Sequence, residues 1–137
     1  MEYKEYALTY EIYTNLKEKV GWLNFNENQT KEGLEKSLYS MVVFDGDIPV
    51  GMGRIVGDGL YDTICDVVID PAYQGRGLGK ELIRRLSLYA ENSTPIGGRM
   101  CIQLIAAKGK EGFYKKQGFA SLPNEESGPG MRKVILK

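Results

Sequence analysis

Gln74-Gly75-Arg76-Gly77-Leu78-Gly79 places three glycines within five residues, where an apolar run gives way to an amphipathic one. Glycine costs conformational entropy wherever it is used. A cluster of this kind therefore marks backbone that must come close to something. The first N–H groups of a helix lack intrahelical partners and carry about half a positive charge. Glycines let such a backbone reach a phosphate, and Gln74, Arg76 and Lys80 add donors and charge. Spacing separates the known anion loops. A Walker loop, GxxxxGK[ST], fails because Gly75 and Gly79 are one residue too close and Lys80 is followed by Glu81, not by a magnesium-binding hydroxyl. The dinucleotide pattern GxGxxG fails too, since its third glycine falls on Lys80 or on Leu82.

The remaining chemistry is bounded by what the chain lacks. It contains no histidine, which removes a His-based triad and His-ligated zinc, so no metal is expected. Cys65 and Cys101 sit in apolar runs, fit no metal or disulfide spacing, and read as small core residues. Lys plus Arg and Asp plus Glu balance at 18 each, so no global field points to nucleic acid. With 26% charged and 42% hydrophobic residues, the 137-residue chain reads as one globular domain over 1–137. No apolar stretch of signal-peptide or membrane-span length is present. A soluble, reduced, cytoplasmic protein with no membrane partner is expected.

The elements that must position the glycine loop follow from periodicity. Tyr6–Tyr13 is aromatic and β-branched and predicts a first strand, followed by a short helix opened by Thr14 or Asn15. Thr30 is the expected cap of a second helix carrying Leu34, Leu38 and Tyr39. Met41–Phe44, Asp45-Gly46-Asp47 and Ile48–Val56 predict a hairpin, and Tyr61–Asp70 a third antiparallel strand stopped by Pro71. From Gly77 to Glu91, apolar residues at intervals of three and four predict an amphipathic helix. Met100–Ala107 reads as a strand and "KEGFYKKQ" as a short helix ended by Gly118. "MRKVILK" reads as a closing strand. The expected class is a mixed-sheet α/β (α+β) fold of order β-α-α-β-β-β-α-β-α-β.

The hexapeptide matches (Arg/Gln)-x-x-Gly-x-(Gly/Ala). With its context "VVIDPAYQGRGLGKELI" and the later "FYKKQGF", it resembles the two signatures of the GCN5-related N-acetyltransferases, the GNAT superfamily. The resemblance covers roughly Met41 to Phe119 and implies an N-acetyltransferase. Such an enzyme moves the acetyl group of acetyl-CoA to a primary amine on a small molecule or peptide. It further implies that pantetheine pairs with the backbone of Val67, Val68 and Ile69, and that Gln74, Gly75, Arg76, Gly77, Leu78, Gly79 and Lys80 hold the pyrophosphate. Tyr114 is the implied general acid, because a phenol with a pKa near 10 is protonated at neutral pH and can serve a departing thiolate.

Three positions depart from the family pattern. Thr63 stands where some relatives place a glutamate base, Ala107 where many carry an asparagine, and Lys110 where alanine is common. Asp66 is then a base candidate, directly or through a water, although strict alternation puts it on the face opposite Thr63, Cys65 and Val67. Lys108 and Lys110 are candidates for the CoA phosphates, or else solvated charges. On the acceptor side, Tyr13, Trp22, Phe25 and Tyr39 could form an aromatic wall or else pack the core, and Glu125 and Glu126 could attract an amine or else be solvated loop charges. Direct transfer is expected, since neither cysteine has a base beside it. A homodimer fits the family's habit. A non-catalytic acyl-CoA-binding module is the alternative, although it would have no need of Tyr114.

Overall fold

Three apolar runs in the middle of the chain become three antiparallel neighbours. The computed structural model describes all residues, Met1–Lys137, and divides into two compact units, Met1–Leu104 and Ile105–Lys137. In the first, β2 (Tyr39–Asp45) and β3 (Ile48–Gly57) form a hairpin, and β4 (Tyr61–Ile69) pairs antiparallel with β3. The hairpin turns at Gly46, whose φ of +60° suits glycine in a tight turn. Strand β1 (Glu2–Glu5) adds to β2, and β5 (Cys101–Gln103) lies parallel to β4, giving the order β1-β2-β3-β4-β5. Helix α3 (Leu78–Ser93) makes the crossover between the two parallel strands.

The N-terminal reading is corrected. Tyr6–Tyr13 is not a strand; α1 (Tyr10–Lys19) takes most of it. Thr9 caps that helix, its Oγ1 accepting from Ile12 N at 3.2 Å. Tyr13 and Leu16 then fall on one face and are both buried, so tertiary burial overrides the β preference of the aromatic residues. Helix α2 (Glu27–Glu35) is capped four residues before the expected Thr30, because Asn26 Oδ1 accepts from Gln29 N at 3.1 Å. Thr30 instead donates back to the Asn26 carbonyl at 2.8 Å.

Successive side chains of a strand point to opposite faces, and β3 shows what each face meets. Met52 packs with Tyr13, Leu16 and Val68 beneath α1. On the other face a Cβ placed on Gly53 would stand 2.9 Å from Leu86 Cδ1 and 3.5 Å from Leu82 Cδ2 of α3. The sheet therefore lies between α1 and α2 on one side and α3 on the other, with α3 drawn close at Gly53.

The second unit holds α4 (Glu111–Lys115), closed as expected by Gly118 at φ +93°, with Phe119 N donating to Tyr114 O at 3.2 Å. Two expectations fail at this end. The fifth strand is Cys101–Gln103 only, because its ladder to β4 lasts from Tyr61↔Cys101 to Thr63↔Gln103. "MRKVILK" forms no strand: no neighbour pairs with it, and Val134, Ile135 and Leu136 are exposed. No helix is long and apolar enough to cross a membrane.

Gly53→Val should destabilise the fold by about 1–3 kcal/mol through overpacking against Leu82 and Leu86. Thermal unfolding checks this, and an unchanged Tm would mean that α3 yields without cost at this point.

Candidate functional site

Strand β4 carries two irregularities, and both leave backbone without a ladder partner. Its pairing with β5 ends at Thr63, so Ile64–Ile69 has no strand on that edge. On the other edge, Met52 stands opposite Val68 and Arg54 opposite Cys65. Gly53 alone therefore faces both Asp66 and Val67, which is a β-bulge. Asp66 adopts φ +56°. An aspartate tolerates this left-handed conformation better than most residues, yet strain of this kind persists only where the surroundings enforce it.

Arg54 is part of that enforcement. Its Nε donates to Asp66 Oδ2 at 2.8 Å, and Nη1 reaches Ser37 Oγ at 3.2 Å and the Gly33 carbonyl at 3.5 Å. Both partners of the ion pair are largely buried, with side chains 16% and 15% exposed. The expected alternation is thus broken: the bulge turns Asp66 to the face of Arg54, whose register partner is Cys65. Burial pushes the Cys65 thiol up to about 11, which leaves it protonated at neutral pH and a poor nucleophile. Tyr13 sits on the same face, and its phenol is raised by burial and by the Asp66 charge.

Beyond β4 the chain is tied down before it enters the glycine loop. Asp70 Oδ1 accepts from Ala72 N at 2.9 Å, capping a 3-10 turn at Pro71–Tyr73, and Lys19 Nζ pairs with Oδ2. Lys19 and the Ala72 amide together hold the Asp70 carboxyl below the usual carboxylate range. Gln74 Nε2 donates to Ile69 O at 3.0 Å, joining the loop to the strand end. Arg76 stacks over Tyr73 at 4.8 Å and donates to Ala72 O at 3.3 Å, and Tyr73 Oη donates to Asp45 Oδ2 at 2.8 Å.

Gly75 and Gly77 adopt φ of +78° and +81°, and nothing lies within 4 Å of the Cβ either would carry. Backbone conformation, not local crowding, is what demands glycine there. Gly77 occupies the cap position of α3, and no side chain bonds the helix's first amides. Those donors are left for another partner. Glu81, in the first turn, is engaged by Arg84 and Arg85, which lower its pKa to about 2.

The contiguous positions Val67–Ile69 and Gln74–Lys80 thus form one strand–turn–helix device, with Asp66 at its upstream end. The second unit carries Tyr114, which is half-buried and edge-on to Phe113 at 5.0 Å and to Phe119 at 6.1 Å. Burial raises its pKa. In the same unit Lys110 caps α4 and donates its N–H to Ala107 O at 2.9 Å, and Asn124 Oδ1 folds the Glu125–Glu126 loop by accepting from Glu126 N. The expected aromatic wall divides. Tyr39 belongs to the core, stacked on Tyr89 at 4.2 Å and bonded to Glu5 at 2.6 Å, and Tyr13 is also buried. Trp22 and Phe25 are exposed. Sequence reasoning missed Arg54 and Lys17. The signal for Arg54 was the isolated aspartate in "ICDVV"; Lys17 in "NLKEKV" looks like any solvated helix charge.

Residues 36–121, more than half of the chain, match the acetyltransferase (GNAT) domain family. The chain belongs to that family of acetyltransferases. It is 36% identical over 113 residues to an uncharacterised ycf52-like N-acetyltransferase of Prochlorococcus marinus, covering 79% of this chain and 61% of that relative's length. The fold is similar to that of SA2161 from meticillin-resistant Staphylococcus aureus, a protein of unknown function described as a probable acetyltransferase (TM-score 0.84, 26% identity, 97% and 98% of the two chains). It is also similar to the GNAT-family acetyltransferase SP0256 of Streptococcus pneumoniae (TM-score 0.79, 27% identity, 99% and 98%).

Arg54→Met should cost about 3 kcal/mol, because it leaves the Asp66 carboxylate buried without its partner. Arg54→Met combined with Asp66→Asn should recover most of that loss. Chemical denaturation of the single and double variants checks the coupling; strictly additive losses would mean that the pair does not hold the bulge.

Proposed function

We propose that the chain is an N-acetyltransferase that moves the acetyl group of acetyl-CoA directly to a primary amine of a small molecule or peptide. The observation that carries this reading is the unpaired edge of β4 at Ile64–Ile69, running into the uncapped start of α3. An extended pantetheine arm needs exposed strand backbone, and a pyrophosphate needs convergent N–H groups. The residues present fit both needs: Val67, Val68 and Ile69 for the arm, and Gln74, Gly75, Arg76, Gly77, Leu78, Gly79 and Lys80 for the phosphates. Val68 is buried on its side-chain face, as suits a strand that offers only backbone.

Bound acetyl-CoA supplies a thioester open to attack by an amine. The strand edge orients it, and the freed backbone at the bulge offers amides for its carbonyl oxygen. We assign Tyr114 the role of holding a proton at Oη for the departing sulfur. Its raised pKa keeps that proton in place throughout the neutral range. Asp66 is committed to Arg54, so it acts as a positioning group for the bulge, and the proton of the incoming ammonium leaves through water, which backbone carbonyls orient. With Cys65 protonated, direct transfer is favoured over an acyl-enzyme.

Acetyl-CoA should raise Tm by several degrees, since it binds the folded state. No shift at saturating acetyl-CoA would contradict the proposal, and binding without turnover over a broad amine panel would favour an acyl-CoA-binding module. Tyr114→Phe should lower kcat about 100-fold while leaving acetyl-CoA affinity nearly unchanged. Because burial raises the phenol pKa, the wild type should show no loss of kcat from this group on going from neutral to mildly alkaline pH. Unaltered turnover in Tyr114→Phe would remove Tyr114 from the chemistry.

A further inference from the structure

The face of β4 turned toward α1 holds more positive charge than its neighbours neutralise. Tyr13 and Lys17 come to it from α1, Arg54 from β3, and Cys65 and Asp66 from β4. Ser37 and the Gly33 carbonyl meet Arg54 from the end of α2. Lys17 is only 3% exposed. Its Nζ makes one hydrogen bond, to Tyr13 Oη at 3.5 Å, the outer limit for such a bond. No carboxylate pairs with it within 4.0 Å. Asp66, the carboxylate that acts on Lys17, is already held by Arg54. Burial lowers the Lys17 pKa, Asp66 draws it partly back, and Arg54 lowers it further.

Lysine is almost never fully buried without a partner, because an isolated ammonium loses its hydration there. The rings of Phe25 and Tyr13, 4.3 Å and 4.9 Å from Nζ, offset part of that cost. Phe25 is also the cover. It belongs to the segment between α1 and α2, is 57% exposed, and has the exposed Trp22 and Leu23 beside it. Its ring lies over an ammonium that feels the charges of Asp66 and Arg54 at the bulge.

We propose that Lys17 is the counter-ion for an anionic group on the acceptor, so that the acceptor is an amine that also carries a carboxylate or a phosphate. This rests on the acetyltransferase reading above. The anion lies on Lys17 in the place of the Phe25 ring, and the amine faces the backbone at Asp66–Val67. Cluster charges of two cations and one carboxylate leave room for one further negative charge. A neutral or purely cationic amine would leave Lys17 unpaired, and a polyamine would meet it as a like charge.

The test uses matched acceptors, phenylalanine against phenylalaninamide and O-phosphoethanolamine against ethanolamine, with wild type, Lys17→Met and Lys17→Arg. In wild type, kcat/KM should favour the anionic member of at least one pair about tenfold or more. Lys17→Met should bring that ratio close to one with KM for acetyl-CoA unchanged, and Lys17→Arg should restore part of it. The pair that responds tells carboxylate from phosphate. Preference for the neutral member in both pairs, or a ratio that survives Lys17→Met, overturns the inference. A second measurement is independent of acetyl transfer. Without ligand, Lys17→Met should match or exceed the wild-type Tm, and inorganic phosphate at constant ionic strength should raise Tm in wild type only. A large loss of Tm in Lys17→Met, or an equal phosphate response in both proteins, overturns it even if acetyl-CoA binding is normal. Loss of acetyl-CoA binding with the phosphate response intact would instead sink the acetyltransferase reading alone.

Discussion

Backbone hydrogen bonding in the second half of β4 is the constraint on which the rest depends. A strand inside a sheet ordinarily satisfies both edges. Here β5 leaves after Thr63, and the bulge at Asp66–Val67 disturbs the other edge. Unpaired strand edges are liabilities that folded proteins cover or use. The pieces around this one make it rigid without filling it. Arg54 holds the bulge, Asp70 and Gln74 hold the strand end, and α3 is drawn against β3 at Gly53. The result is a fixed strip of open backbone that ends at helix amides with no cap of their own.

The glycine loop belongs to the same strip. Gly75 and Gly77 serve φ, since a Cβ at either position would meet open space. That open space matters to a ligand more than to the fold. Glu81 would ordinarily repel an anion from a helix start, but Arg84 and Arg85 take up its charge. The electrostatics of the first turn are thus arranged within α3, and the amides at its start stay available.

Much of this was legible in the sequence because it rests on local rules. The hairpin at Asp45-Gly46-Asp47, the strand before Pro71, the helix from Leu78 and the stop at Gly118 each have a short-range signal, and the structure carries all four. The misreadings have non-local causes. Tyr6–Tyr13 has strand composition, but Tyr13 and Leu16 are buried against Met52 and Val68, and only a helix puts both on that face. "MRKVILK" has a strand's composition and no partner strand. A bulge cannot be read from "ICDVVID", so period-two counting placed Asp66 on the wrong face and hid its pairing with Arg54, twelve residues earlier. Lys17 was invisible for a related reason: Tyr13, one turn earlier on α1, is only part of its surroundings, and the rest comes from Phe25 and the charges of Arg54 and Asp66.

We propose that the open edge of β4 and the start of α3 together form the CoA site. Amide hydrogen exchange with and without CoA tests it at residue resolution. Slowed exchange is expected within Val67–Ile69 and Gly75–Lys80 together, with β1 and β2 unchanged. Protection confined to other segments, or CoA binding that leaves both stretches unprotected, would contradict it.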